Sequence, residues 1–82
     1  LLAHHGQLCA GDTVEQAAIL AYHSEHAAEM QLRAMASGDI KPLPPEAGRH
    51  AHDYRLKPAP LNATFDLYAR QVLRRDEEYV LL

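Results

Sequence analysis

Two short apolar stretches near the N-terminus, residues 1–3 and 8–10, are separated by a polar break that contains Gly6. Glycine inside a short apolar pattern is typical of a bend, or of a close backbone approach, in a strand. The pattern therefore predicts a short β-hairpin, or one bent strand, over residues 1–11.

A long helix is predicted directly after this segment. Thr13 is a good N-cap residue, and Gln16 lies three positions later, where the partner of a capping box belongs. Strong helix formers dominate the residues that follow, and neither Pro nor Gly occurs until Gly38, which suits the C-terminal end of a helix. The pattern predicts a helix over residues 13–37.

The apolar residues of this long helix do not form a single stripe. They follow two lines, one through Val14, Ala18, Ala21 and Tyr22 and the other through Ala17, Leu20, Ala27, Met30 and Ala34. A helix that is apolar on several sides packs between two layers of a protein. We therefore expect the chain to belong to a larger structure.

The C-terminal half is predicted to consist of a Pro-rich connection over residues 38–61 and a helix over residues 62–76. Proline favours extended or polyproline-like backbone, although Pro45 can occupy the first turn of a short helix. Apolar residues at helical spacing make the final helix amphipathic. The apolar residues 79–82 are expected to dock on a neighbour.

The composition supports only a small core. Of the 82 residues, 14 are Ala, whereas Leu, Ile, Val and Phe together make up 18. A chain of this length buries only about 60% of its unfolded surface even when it folds well. Because neither a disulfide nor a structural metal is evident to compensate, we expect this chain to complete its core against another body.

Charge and cysteine content exclude several classes of protein. The net charge is −3 and no stripe of Lys or Arg is present, so we expect no nucleic-acid partner. The apolar runs are far shorter than the ~20 residues of a membrane span. The chain starts without Met or a basic segment, so we expect neither an intact start nor a signal peptide.

A single cysteine, Cys9, excludes an internal disulfide and favours a reducing, cytoplasmic location. No pattern places a base beside this thiol. We therefore interpret Cys9 as a small buried strand residue rather than as a nucleophile.

Four of the six histidines form two pairs whose spacing could suit a metal. His23 and His26 lie three residues apart on the long helix, with Glu29 three further on, but surface histidines are the preferred interpretation. His50 and His52 have the spacing of two ligands on one face of a strand. They lie in a region with loop character, so a solvated loop is preferred there.

The third pair, His4 and His5, stands directly before Gly6 at the end of an apolar stretch. An imidazole held beside a sharp turn is rigidly placed, and neutral imidazole is the commonest metal ligand and the usual acid or base at neutral pH. A metal-ligand or catalytic role and a satisfied core histidine both remain open on these grounds.

Residues 1–17 closely resemble a segment of the class II aldolase/adducin family. In that family an apolar strand runs into Asn-His-Gly or His-His-Gly, a second strand ends in Gly, and a capped helix begins with Thr-x-Glu-(Glu/Gln)-Ala. The matching residues are His4-His5-Gly6, Gly11 and the run Thr13-Val14-Glu15-Gln16-Ala17. The likeness is strong over residues 1–38 and looser beyond, through Glu25, Gln31, Gly38-Asp39 and the final Leu73-Arg74-Arg75-Asp76.

The resemblance implies a fold class and a place within it. The parent fold is a three-layer α/β/α domain, and residues 1–82 would be the C-terminal part of one such domain. The chain itself would be mostly α, with its short β segment at the N-terminus. Family members are commonly homo-oligomers, often tetramers, whose sites lie between subunits; Tyr54 or Tyr79 is a candidate to reach a neighbour's site.

The resemblance also implies a metal-dependent chemistry. In catalytic members the His directly before the Gly is one of three histidines that hold a divalent metal, usually zinc, and the match here is His5 rather than His4. Such enzymes are aldehyde-lyases that cleave a sugar phosphate or a related hydroxy-carbonyl compound, and a related epimerase uses similar chemistry.

The family's other two ligands, a His-x-His pair, and its catalytic carboxylate lie upstream of this segment. No catalytic residue is therefore identified here, and the chain by itself is expected to be inactive. A non-catalytic assembly module similar to the adducin head is the alternative reading.

Overall fold

The computed structural model describes residues 1–75, and most of these residues belong to three α-helices. Helix α1 spans Val14–Met35, α2 spans Pro45–Arg55 and α3 spans Pro58–Arg75. The prediction of a mostly helical chain is confirmed. Residues 76–82, which include Tyr79 and the apolar C-terminal segment, lie outside the described residues.

The N-terminal segment differs from the predicted hairpin or bent strand. In the described range, the β pairing consists of one isolated antiparallel bridge between Leu2 and Gly6. A strand needs hydrogen-bonding partners on a neighbouring segment. Leu2 and Gly6 are only four positions apart, so their pairing closes a tight turn and cannot extend into a hairpin. Cys9, predicted to lie buried in a strand, is half-exposed, and its Sγ lies 3.9 Å from Oε1 of Gln7.

The start of α1 is fixed by local hydrogen bonds, as its sequence predicts. Thr13 has extended backbone, and its Oγ1 accepts a hydrogen bond from the backbone N–H of Gln16 at 3.1 Å. The Gln16 side chain in turn accepts from the backbone N–H of Asp12 at 2.5 Å. This reciprocal pair satisfies two donors near the helix start, although the return bond reaches the residue before the N-cap.

Helix α1 ends at Met35, two residues before the predicted end. The backbone N–H of Ser37 donates to the carbonyl of Ala34 at 3.1 Å, and the Ser37 hydroxyl donates to the same oxygen at 2.8 Å. Gly38 then takes a φ of 133°, which other residues adopt with strain.

The predicted connection over residues 38–61 contains a helix and the start of another, so its description as extended is corrected. Pro45 occupies the first turn of α2, where its missing N–H is not needed, and Gly48 lies inside the helix. Helix α3 likewise begins at Pro58 rather than at residue 62, because Pro58 and Pro60 both fall in the first turn, whose N–H groups have no intrahelical acceptor.

The core is very small. Among residues 1–75, the buried hydrophobic side chains are Ile19 of α1 and Leu61 of α3, with 3% and 5% of their surfaces exposed. The radius of gyration is 15.4 Å, compared with the ~12 Å typical of a compact domain of this length. Much of the apolar surface of this chain is therefore left uncovered.

Helix α1 has neighbours on two sides over its N-terminal half. Helix α3 packs against one side, where the rings of Tyr22 and Tyr68 have centroids 4.3 Å apart. The N-terminal segment is attached to α1 by a hydrogen bond of 3.1 Å from Nε2 of Gln7 to the carbonyl of Ala21. Residues 24–35 are all exposed. None of the three described helices is long and apolar enough to cross a bilayer.

Candidate functional site

His5 lies in a hydrogen-bonded turn at the N-terminus. The backbone N–H of Leu2 donates to the carbonyl of Gly6 at 2.6 Å, and the N–H groups of His5 and Gly6 donate to the carbonyl of Leu2 at 3.1 and 3.2 Å. These bonds define the backbone of the turn. The side chain of His5 is exposed, so it is not a satisfied core histidine.

The turn depends on two residues in the left-handed region. His4 has a φ of 63° and Gly6 a φ of 151°. A β-carbon at Gly6 would meet no atom within 4 Å, so this glycine is needed for its backbone angle rather than for space. A non-glycine residue at positive φ, such as His4, is uncommon and often marks a functional segment.

The described residues do not assemble a metal site by themselves. Over residues 1–75, no group of three His, Cys, Asp or Glu side chains lies close enough to hold an ion. His5 is therefore a single potential donor, whereas a catalytic zinc site has three protein ligands.

The histidine pair of α1 packs around an aromatic ring. His23 and His26 have ring centroids 5.9 and 6.3 Å from that of Tyr22. Glu29, which could have completed a site, instead forms an ion pair of 2.6 Å with Arg33. His26 is exposed, as the surface interpretation expects, whereas His23 is half-buried.

His50 and His52 lie on α2 and not in a loop, which corrects that part of the prediction. His52 Nδ1 is 3.3 Å from a carboxylate oxygen of Asp53. His50 lines a groove where α1, α2 and α3 meet. The two imidazoles have separate surroundings because residues two positions apart on a helix do not face each other.

The groove at the junction of the three helices was not anticipated from the sequence. It has a volume of about 540 Å³, and its polar lining consists of His23, His50, Tyr54, Arg55 and Thr64. The sequence predicts a Pro-rich connection where α2 lies, so it does not bring these side chains together. A helix from Pro45 would have placed His50 and Tyr54 on one face.

Two groups near this groove have shifted pKa values. Partial burial, the Arg55 guanidinium and His26 lower the pKa of His23. Burial and the neighbouring Tyr22 raise the pKa of Tyr68, while Arg55 opposes that rise. Arg55 therefore contributes positive potential to both rings.

A second groove, between α1 and α3, is almost wholly apolar. It has a volume of about 450 Å³ and is lined by Ala18, Ile19, Tyr22, Phe65, Tyr68, Ala69, Val72 and Leu73. It marks where the amphipathic face of α3 remains partly uncovered.

Tyr54, one of the two tyrosines considered for a neighbouring site, is 57% exposed at the edge of the polar groove. The ammonium of Lys57 lies 5.9 Å from the centroid of its ring. Tyr79 lies outside the described residues.

Comparison with known proteins adds one finding. No curated protein and no solved structure matches the chain. The segment that contains the His5 turn, the Thr13 cap and most of α1 does match a family: residues 1–32 match the model described as Class II Aldolase and Adducin N-terminal domain, which confirms the resemblance of this segment.

Proposed function

We propose that residues 1–82 are the C-terminal part of a class II aldolase-type domain, and that the complete domain is a metal-dependent lyase. Its substrate would be a sugar phosphate or a related hydroxy-carbonyl compound. The observation that carries this proposal is the match of residues 1–32 to the family model, since that segment contains His5 and Gly6 in step with the helix cap.

His5 is the residue of this chain that we assign to the metal, with zinc as the expected ion. Its imidazole is exposed at a turn whose backbone is tied by three hydrogen bonds and one left-handed glycine. Such a turn fixes the His5 backbone and therefore the direction in which its side chain leaves the chain, which favours metal binding because ligand geometry must be held closely.

The remaining donors would come from residues upstream of Leu1. Among residues 1–75, His5 belongs to no group of three His, Cys, Asp or Glu side chains that could hold an ion. In a complete domain a bound metal would supply Lewis-acid chemistry at the substrate carbonyl, and an upstream carboxylate would be the candidate to move the proton. The chain alone, with one of three ligands, is expected to lack lyase activity.

Assembly into a homo-oligomer is a further part of the proposal. Large apolar side chains remain exposed on α1, on α3 and in the connection between α1 and α2, among them Met30, Leu43, Leu67 and Val72. Burial of such surface against the rest of the domain or against other subunits would be favourable by about 25 cal/mol per Å². Tyr54, at an exposed edge, is our candidate for contact with a neighbouring site.

The same uncovered surface favours a second candidate function, a non-catalytic assembly module similar to the adducin head. The two candidates differ in the sequence upstream of Leu1 in the same gene. A His-x-His pair and an acidic residue there would support the lyase, whereas their absence would support the module.

The lyase assignment is tested by aldol-cleavage assays on the protein expressed together with its upstream sequence. We expect His5→Ala to abolish cleavage of a ketose phosphate. His4→Asn is the matched control because Asn tolerates the left-handed backbone at that position. An unchanged cleavage rate in His5→Ala would overturn the assignment, and equal loss in both variants would show that the turn, and not the imidazole, is required.

A further inference from the structure

The polar groove at the junction of α1, α2 and α3 has the size and the walls of a small-molecule site. Its volume of about 540 Å³ falls within the range of ligand pockets, roughly 300–1,000 Å³. All three helices contribute, so the groove forms only in the folded chain. It lies apart from the N-terminal turn, none of whose residues lines it.

The lining is rich in hydrogen-bond donors that suit an anion. Arg55 provides a guanidinium, His23 and His50 provide imidazoles, and Tyr54 provides a phenol hydroxyl. The hydroxyl of Thr64 is already engaged, since it donates to the carbonyl of Pro60 at 2.9 Å.

No carboxylate belongs to the lining of this groove in the described part of the chain. Asp53, the nearest acidic residue along α2, faces the His52 ring at 3.3 Å instead. Arg55 forms no ion pair with any described residue. Its guanidinium, a planar fork of donors that matches phosphate and carboxylate oxygens, is therefore available to a ligand.

We propose that this groove binds a small organic anion through a phosphate or carboxylate group, with Arg55 as the main contact and His23 and His50 beside it. This site is independent of the proposed function, because neither His5 nor a metal takes part in it. Phosphate and carboxylate groups both present negatively charged oxygens, which would accept hydrogen bonds from the donors on α1 and α2.

The charges around His23 support this site, and they make the pKa of His23 a measure of anion binding. The titratable and charged groups around that ring are His26 and Tyr22 on α1, His50, Tyr54 and Arg55 on α2, and Tyr68 on α3. Partial burial, followed by the charges of Arg55 and His26, lowers the pKa of His23. A bound anion would offset their positive charge, so saturation should raise the pKa of His23.

The test is a titration of the 82-residue chain with inorganic phosphate, and separately with acetate, at constant ionic strength. Histidine ring resonances are followed by NMR. We expect saturable shifts at His23 and His50 and an upward change in the pKa of His23. A response to phosphate alone would assign a phosphorylated ligand, and a response to both probes would extend the site to carboxylates.

Two variants of α2 separate a built site from general attraction to a cation. Arg55→Gln should weaken phosphate binding about tenfold, the effect of losing one charge-assisted contact. Arg49→Gln removes the same charge from the same helix at a position outside the groove lining, and should leave binding unchanged. Equal weakening in both variants, or the absence of saturable shifts with either probe, would overturn the proposal.

Discussion

The N-terminal segment, residues 1–12, and the first half of α1 adjoin each other but reach their structures by different routes. The helix begins where Thr13 and Gln16 place its start, because every bond that fixes that start lies within five residues. The segment before it shows a single bridge between Leu2 and Gly6. A helix satisfies its own backbone, whereas a strand requires a partner. The helix, which needs only bonds within its own segment, is therefore fully formed. The N-terminal segment, which would need a neighbouring strand, forms only a turn.

The largest effect should come from the helical region, through its buried contact. Ile19→Ala should lower the free energy of unfolding by about 2–5 kcal/mol, because Ile19 is one of two buried apolar side chains among the described residues. Urea unfolding followed by far-UV circular dichroism measures this change.

Leu8→Ala makes a matched truncation in the N-terminal segment, where Leu8 is 76% exposed. It should change the free energy of unfolding by less than about 0.5 kcal/mol. A loss in Leu8→Ala as large as that in Ile19→Ala would mean that the N-terminal segment is as well packed as the helices.

The junction between the two regions should be next in sensitivity. A β-carbon at Gly11 would lie 2.8 Å from the backbone nitrogen of Ala17 and 2.8 Å from Oε1 of Gln16. Gly11→Ala should therefore cost about 1–3 kcal/mol of stability.

Gly48→Ala is the opposite case, because a β-carbon there meets no atom within 4 Å and the residue lies inside α2. It should stabilise the chain by roughly 0.5–1 kcal/mol. Thermal unfolding of the two variants would contradict this account if both shifted the midpoint in the same direction.

The helix cap is expected to have an effect of about 1 kcal/mol. Thr13→Ala removes the oxygen that accepts from the Gln16 N–H at 3.1 Å, leaving a donor without its partner. Thr13→Ser keeps that oxygen and should retain most of the stability. If the two substitutions were equally destabilising in urea unfolding, the methyl group and not the hydrogen bond would be responsible.

Helix propensity and capping were enough to predict α1, but they failed for α2. Pro45 and Gly48 suggested a connection, although proline is compatible with a first helical turn. The start of α3 at Pro58 was missed for the same reason. In both cases the usual extended preference of a Pro-rich sequence predicts a connection, whereas the prolines lie in the first turn of a helix, where their missing N–H groups are not needed.

The candidate site was predictable only in part. The order of His5, Gly6 and the helix cap pointed to the family segment, and the match of residues 1–32 confirms it. The polar groove could not be predicted, since Arg55 and His23 are far apart in sequence and meet only through helix packing.

The smallest effect concerns pH and His23. Because the folded chain holds the pKa of this residue below the ordinary 6.5, the unfolded chain binds its proton more readily. The contribution of neutral His23 to the free energy of unfolding is fully present above about pH 6.5, and it is lost as the pH falls through the lower pKa of the folded state. His23→Gln should therefore flatten the loss of stability below pH 6.5 in urea unfolding; an unchanged slope would contradict this assignment.

The most direct test of the proposed function is the zinc content of the protein expressed with its upstream sequence. Removing one of three protein ligands should weaken zinc binding by about tenfold or more, because even the loss of an outer-shell partner costs roughly 10–100-fold in affinity. The account predicts zinc bound by the parent protein and by His4→Asn, and loss of that zinc from His5→Ala at unchanged helicity. Full zinc occupancy in His5→Ala would contradict the assignment of His5 as a ligand.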